Sequence, residues 1–142
     1  MKYTIETIIQ KPLHEVTQLY NNINNNSKWM PGLITHETIS SHNREPGSKS
    51  IYTFNMKGRD FTITETILQN NLTEIIAEFT SNGTVNTQTT QFSKINDTST
   101  SYKVHESFKL TGFMKVIGFL MPGSFKKQTR QFVDAFKEFA ES

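Results

Sequence analysis

The sequence predicts an α+β domain in which one curved antiparallel sheet of about seven strands wraps around a long C-terminal helix. Two observations lead to this prediction. Residues 33–110 form a succession of short segments rich in Thr, Ile, Phe and Tyr, separated by turn residues, as in a meander of β-hairpins. Residues 125–140 then change to helical periodicity, with apolar side chains on one face.

The N-terminal region predicts a strand followed by short helices. Residues 3–9 alternate with a period of two, which indicates a half-buried strand. Pro12 suits the first turn of a helix, and apolar residues follow it at helical spacing as far as residue 20. The asparagine-rich stretch 21–26 favours a loop, with one more helical turn near Ser27.

The central region predicts six strands, which makes about seven with the N-terminal one. Strand breaks are expected at residues 44–47, 57–59, 70–71, 82–83 and 96–97. The pair Asn82-Gly83 predicts a type I′ hairpin, because that turn needs positive φ at both central residues and Asn-Gly tolerates it best.

The C-terminal helix is predicted to bury a face made largely of phenylalanine. Helical spacing groups Phe125, Thr129, Phe132, Phe136 and Phe139 on that face, and most of the charged side chains fall on the opposite one. Residues 113–121 also read as helix. Pro122-Gly123 is expected to break the two helices apart, with Ser124 as a cap for the second.

The composition bounds the class of protein. The chain of 142 residues is expected to form a single domain, residues 1–142, that is 35% hydrophobic and 20% charged with a net charge of +2. This balance argues against a disordered chain and against a nucleic-acid partner. Cysteine is absent, so disulfides and thiolate chemistry are excluded. With no signal-type or membrane-spanning apolar stretch, we expect a cytoplasmic protein without a transmembrane segment, as a monomer or weak homodimer.

The order of elements resembles a known superfamily. A strand, a short helix starting at proline, the loop Trp29-Met30-Pro31, a meander and a long C-terminal helix together resemble the helix-grip fold of the START/Bet v 1-like (SRPBCC) proteins. The segments 112–115 and 121–129 look like those of small bacterial polyketide cyclase/dehydrase-like members. The resemblance implies a fold and a range of roles: ligand carriers, cyclases and chaperone cofactors.

Two acidic residues interrupt apolar strand faces. Glu65 shares the parity of Phe61, Ile63 and Ile67, and Glu106 that of the apolar residues between 102 and 110. If these faces point inward, burial would raise the carboxyl pKa values and make either group a polar anchor or a general base. The alternative is a twist or bulge that lets each carboxylate reach water. Glu106 is the better candidate, though we assign no catalytic residue.

The histidines form no predicted site. His105 adjoins Glu106 but points to the other face of the strand. His36 and His42 are too far apart along an extended chain to ligate one metal, and His14 has no partner at ligand spacing. We therefore expect no metal and, without a phosphate-binding loop, no cofactor.

The predicted site is a pocket between the sheet and the C-terminal helix. Trp29 either covers its mouth or packs in the core. We expect the pocket to bind a small hydrophobic molecule, with transport of that molecule as an extension of the same role. The alternatives are a cyclase, dehydratase or hydrolase that uses Glu106, and a protein-interaction adaptor. The residues expected to line it are Trp29, Phe54, Phe61, Glu65, Phe79, Glu106, Phe108, Met121, Phe125, Phe132 and Phe136.

Overall fold

The structure, a computed structural model, describes residues 1–40 and 44–142. Its strands form one antiparallel sheet in the order β1-β7-β6-β5-β4-β3-β2. Each strand from β3 to β7 pairs with the one before it in the chain, and β1 pairs with β7, so β1 and β2 are the two edge strands. The strands are β1 (Lys2–Ile9), β2 (Leu33–Thr38), β3 (Lys49–Met56), β4 (Arg59–Asn70), β5 (Glu74–Ser81), β6 (Thr84–Asn96) and β7 (Ser99–Leu110).

The helices occur at two places along the chain, between β1 and β2 and after β7. A helix and two short turns follow β1: α1 (Leu13–Asn21), a 3₁₀ turn (Ile23–Asn25) and α2 (Asn26–Trp29). The last strand is followed by α3 (Phe113–Leu120) and α4 (Pro122–Glu141). The sheet curves around α4, which confirms the predicted helix-grip architecture. Within the described ranges, no helix has the length and apolar character needed to cross a bilayer.

An aromatic core fills one end of the space between α4 and the sheet. Phe136 of α4 is fully buried, and its ring lies 5.1 Å from both Tyr20 and Trp29 and 5.5 Å from Tyr102, measured between centroids. Phe92 stacks on Tyr102 at 4.9 Å. We call these five side chains the aromatic core. They hold α1, α2 and α4 against β6 and β7.

The start of α4 differs in detail from the prediction. The break between the helices falls at Met121, and Pro122 occupies the first turn, where its missing N–H is not needed. Ser124 was expected to cap α4, and this is wrong. Its hydroxyl lies inside the first turn and donates to the Met121 carbonyl at 2.8 Å, so the cap position belongs to Met121.

The hairpin turns differ in type from the prediction. The breaks fall where expected, but Asn82 does not have positive φ; only Gly83 does, at 72°. The predicted type I′ turn is therefore wrong at this position. Both central residues have positive φ at Lys57 (53°) and Gly58 (80°), between β3 and β4. The type I′ conformation thus occurs at a Lys-Gly pair. Gly58 adopts positive φ without steric cost, and the pairing of β3 with β4 holds Lys57 at positive φ.

Candidate ligand site at Glu106

The aromatic side chains beyond the aromatic core are less completely buried. Five phenylalanines on the concave face of the sheet or on α4 are only partly buried, whereas every member of the aromatic core except Tyr20 is nearly inaccessible to solvent. Strand pairing aligns Phe108, Asn86, Phe79 and Glu65 in one row across β7, β6, β5 and β4. We call this region the open end; its partly buried rings are Phe61, Phe79, Phe108, Phe125 and Phe132.

Glu106 lies where the aromatic core meets the open end. Its side chain is 4% exposed and faces α4. Oε1 accepts hydrogen bonds from the Gln88 amide at 2.8 Å and from the Thr129 hydroxyl at 3.4 Å. Oε2 has no hydrogen-bond partner in the described part of the chain, and the same holds for Oδ1 of Asn86. Glu106 is thus held through one oxygen, and the other remains available as an acceptor.

Burial raises the pKa values of two groups at this site, Glu106 and Tyr3. Burial raises the pKa of Glu106, while the hydrogen bond from Gln88, the nearby Asn86 side chain and the hydrogen bond from Thr129 hold that pKa partly down. The Tyr3 hydroxyl lies 2.7 Å from the Thr129 hydroxyl and donates to the Phe125 carbonyl at 2.9 Å. Burial also raises the pKa of Tyr3 to about 12, although Thr129 opposes the shift. Tyr3 therefore stays protonated at neutral pH and links β1 to α4 beside the carboxyl.

Glu65 has different surroundings, although it is equally buried. It is 5% exposed, accepts a hydrogen bond from the Tyr52 hydroxyl at 3.1 Å, and lies 3.8 Å from the Arg44 guanidinium. Arg44 in turn lies over the Tyr20 ring at 5.4 Å. Burial raises the pKa of Glu65, and the Arg44 charge opposes that shift. Glu65 is therefore one partner of a buried ion pair with Arg44.

The structure brings most of the predicted pocket residues together. The Phe54 ring lies 5.7 Å from Phe61 and 5.8 Å from Phe132, measured between centroids. The Trp29 ring lies 6.4 Å from Phe132 by the same measure. Phe108 and Phe125 meet at 5.1 Å. Glu65 and Glu106 both face inward, so the alternative in which their carboxylates reach water is wrong.

Two predicted pocket residues lie elsewhere in the packing. Met121 is 55% exposed at the junction of α3 and α4, because the chain breaks there and turns its side chain outward. It does not line the enclosed interior. Trp29 is 8% exposed and packs on Phe136, so it belongs to the aromatic core and does not cover a mouth.

The histidines lie away from Glu106. His105 points to the convex face, between the Thr4 hydroxyl and the Gln91 amide oxygen, each 2.8 Å from a ring nitrogen. His36 stacks on Tyr52 at 4.3 Å, and burial lowers its pKa. His42 lies outside the described residues. In residues 1–40 and 44–142, no three acidic or histidine side chains converge to hold a metal ion.

Two clefts lie on the convex face of the sheet. One, of about 450 Å³, crosses β1, β7 and β6 and is lined by residues such as Thr4, Thr89 and His105. The other, of about 590 Å³, crosses β3, β4 and β5 and is lined mainly by threonines. Glu106 also borders the first cleft and Phe61 the second. The pocket that the sequence predicts, between the sheet and α4, corresponds to neither cleft.

We expect the substitution Glu106→Gln to stabilise the protein at neutral pH. Since burial raises the folded-state pKa above the unfolded-state value, the unfolded chain ionises first as pH rises, and the wild type loses stability through that interval. The variant escapes this loss, so its advantage should be full at pH 7 and absent below about pH 4. Urea unfolding at both pH values measures it. Glu138→Gln, the same substitution on the exposed face of α4, is the matched control and should change the free energy of unfolding by less than about 0.5 kcal/mol.

Sequence reasoning missed the groups that hold Glu106. Thr129 was placed on the correct helix face, but nothing indicated that its hydroxyl would meet the carboxyl. Gln88 and Asn86 lie in a stretch of β6 that is almost entirely polar, so its sequence does not show which of its side chains face the interior. Only the β6–β7 register, which pairs Gln88 with Glu106, brings them into contact.

Comparison with known proteins identifies the fold. No known family profile matches the chain, and no curated protein matches it by sequence. Among solved structures, the Zhui aromatase/cyclase from Streptomyces sp. R1128 is 10% identical, with 99% of this chain and 93% of that chain covered and a TM-score of 0.82.

Two further solved structures give the same result. A START superfamily protein from Mycobacterium smegmatis is 10% identical, with coverages of 96% of this chain and 97% of that one and a TM-score of 0.74. Norcoclaurine synthase from Thalictrum flavum is 15% identical, with coverages of 98% and 85% and a TM-score of 0.71. The chain therefore shares its fold with these solved structures, and this is the helix-grip fold that its sequence predicted.

Proposed function

We propose that the protein binds a small, largely apolar molecule between α4 and the concave face of the sheet, at the open end. The ligand presents a hydrogen-bond donor, such as a hydroxyl, to Oε2 of Glu106. The observation that carries this proposal is a buried acceptor without a partner at the border of an incompletely buried aromatic region.

The energetics favour a donor at this position. A buried acceptor that lacks a hydrogen bond costs about 1–3 kcal/mol, more if it is charged. Glu106 Oε2 and Asn86 Oδ1 are both hydrogen-bond acceptors without a donor. A ligand hydroxyl or amine can donate a hydrogen bond to them, whereas a ligand carbonyl or ether cannot. The partly buried phenylalanines around them gain burial when an apolar ligand covers them.

The structural relatives are consistent with this ligand class. Norcoclaurine synthase from Thalictrum flavum was solved in complex with dopamine and hydroxybenzaldehyde, which are small aromatic molecules bearing hydroxyl groups. The relatives differ widely in sequence from this chain, so what they show of it is the fold alone.

Native mass spectrometry of freshly purified protein tests the proposal. We expect a bound small molecule that dissociates on denaturation and carries a hydroxyl or amine on an apolar skeleton. Glu106→Leu should reduce its occupancy, whereas Leu68→Ser, at an exposed position of β4, should retain it. Equal occupancy in wild type and Glu106→Leu would remove the assigned role of Glu106. No bound molecule at all would favour an adaptor, in which the interior serves only packing.

A second function has one specific observation in its favour. Because burial raises the pKa of Glu106, the carboxyl is a better general base than an exposed glutamate. An enzyme that abstracts a proton from its ligand would lose turnover in Glu106→Gln, whereas a carrier with the same substitution still binds. Incubating the co-purified molecule with each form and comparing product formation separates the two functions.

A further inference from the structure

The outer face of α3 is apolar and exposed. Phe113 is 74% exposed, Phe119 85% and Leu120 66%, and Val116 and Met121 are about half exposed. Other exposed apolar side chains, such as Ile34, Leu68 and Ile95, are spread over different strands. A contiguous apolar patch of this kind marks an interaction site more often than scattered exposed residues do.

The opposite face of α3 is anchored to the fold. Gly118 is buried, and a Cβ there would overlap the Leu110 side chain at the end of β7. The Met114 side chain packs against Gly83 in the β5–β6 hairpin, so closely that a Cβ at Gly83 would lie 3.0 Å from Met114 Cγ. The helix is therefore held close to the sheet, and its apolar outer face is fixed outward.

The charge around α3 is one-sided. Residues 107–133 contain five of the 15 lysines and arginines and none of the 13 acidic residues. The rest of the chain has ten lysines and arginines against 13 acidic residues, so its net charge is negative. Four of the five are the exposed lysines Lys109, Lys115, Lys126 and Lys127. In the described part of the chain, none of these four forms an ion pair with a carboxylate.

We propose that the apolar face of α3 and the lysines around it dock the protein on a bilayer that contains anionic phospholipid. Apolar side chains enter the headgroup boundary while lysines stay at the charged surface, which is the division found here. A second copy of the chain is a poor occupant. Two such faces would repel, and a helix about 12 Å long offers far less than the roughly 800 Å² per partner of a stable interface.

The docking site adjoins the open end of the interior. Phe125, in the first turns of α4 after the α3–α4 junction, contacts Phe108 at 5.1 Å. A protein docked through α3 would therefore hold its proposed ligand site near the lipid. The docking itself does not depend on the ligand proposal, and it can be tested without any ligand.

Vesicle cosedimentation tests the proposal with wild-type protein. We expect binding to vesicles of equal parts phosphatidylglycerol and phosphatidylcholine, weaker binding to phosphatidylcholine alone, and a decrease with added salt. Phe119→Ser and the double variant Lys126→Gln/Lys127→Gln should each lower the partition coefficient about tenfold. The matched controls are Leu68→Ser and Lys28→Gln/Lys49→Gln, at exposed positions away from α3, and they should bind as wild type does.

Three results would overturn the proposal. The first is the absence of wild-type binding to anionic vesicles. The second is an equal loss of binding in the α3 variants and their controls, which would indicate a nonspecific effect of charge or hydrophobicity. The third is a dimer, detected by sedimentation velocity and abolished by Phe119→Ser, in protein that does not bind vesicles.

Discussion

Glu65→Gln should lower the free energy of unfolding by about 3–5 kcal/mol, the usual cost of removing one partner from a buried ion pair. Arg44 would remain charged, because a guanidinium stays protonated in proteins, and its side chain, which is only 10% exposed, would have lost its carboxylate partner. Glutamine keeps an acceptor for the Tyr52 hydroxyl, so the loss reports mainly on the unpaired guanidinium. Urea unfolding at neutral pH measures it.

Two further variants separate the ion pair from its neighbours. Tyr52→Phe removes only the hydrogen bond to Glu65 and should cost about 1.5–3 kcal/mol. The double substitution Glu65→Leu/Arg44→Met removes both charges together, so it should cost much less than Glu65→Gln alone. If Glu65→Gln cost under about 1 kcal/mol, Arg44 would not depend on this carboxylate.

Phe136→Ala should cost about 3–5 kcal/mol, because the ring is fully buried and its loss leaves a cavity among aromatic neighbours. Phe132→Ala, on the same face of α4 but partly exposed, should cost clearly less. The comparison is internally matched, since the two substitutions share chemistry, helix and face. Thermal or urea unfolding gives both values.

Equal losses at Phe132 and Phe136 would contradict the division of the interior into a packed aromatic core and an open end. They would show that the whole space between α4 and the sheet is tightly packed, which leaves little room for a ligand without rearrangement.

The fold could be predicted because its signals are local and repeated. In residues 101–110 of β7, the residues of one parity are apolar apart from Glu106, and those of the opposite parity are polar, so a register error of one residue would have buried two lysines and a histidine. The spacing of phenylalanines in α4 likewise left one possible buried face. These patterns placed Glu65 and Glu106 correctly on the concave side.

The rest depends on contacts between distant parts of the chain. Arg44 was assigned only to a turn, and its contact with Glu65 arises from tertiary packing that no sequence spacing encodes. The conformation at Asn82 also could not be read from its dipeptide, because strand pairing decides the turn. Apart from Lys115, the exposed side chains of α3 are apolar, and sequence alone does not distinguish such a helix from a buried one.

The most direct test of the ligand site compares two probes that differ in one hydrogen-bond donor. Naphthol can donate to Glu106 Oε2, whereas methoxynaphthalene has a similar apolar skeleton and cannot. By isothermal titration calorimetry, we expect wild type to bind naphthol about tenfold more tightly, and Glu106→Leu to bind both probes equally. Equal affinities for the two probes in wild type, or no binding of either, would contradict a ligand site at Glu106.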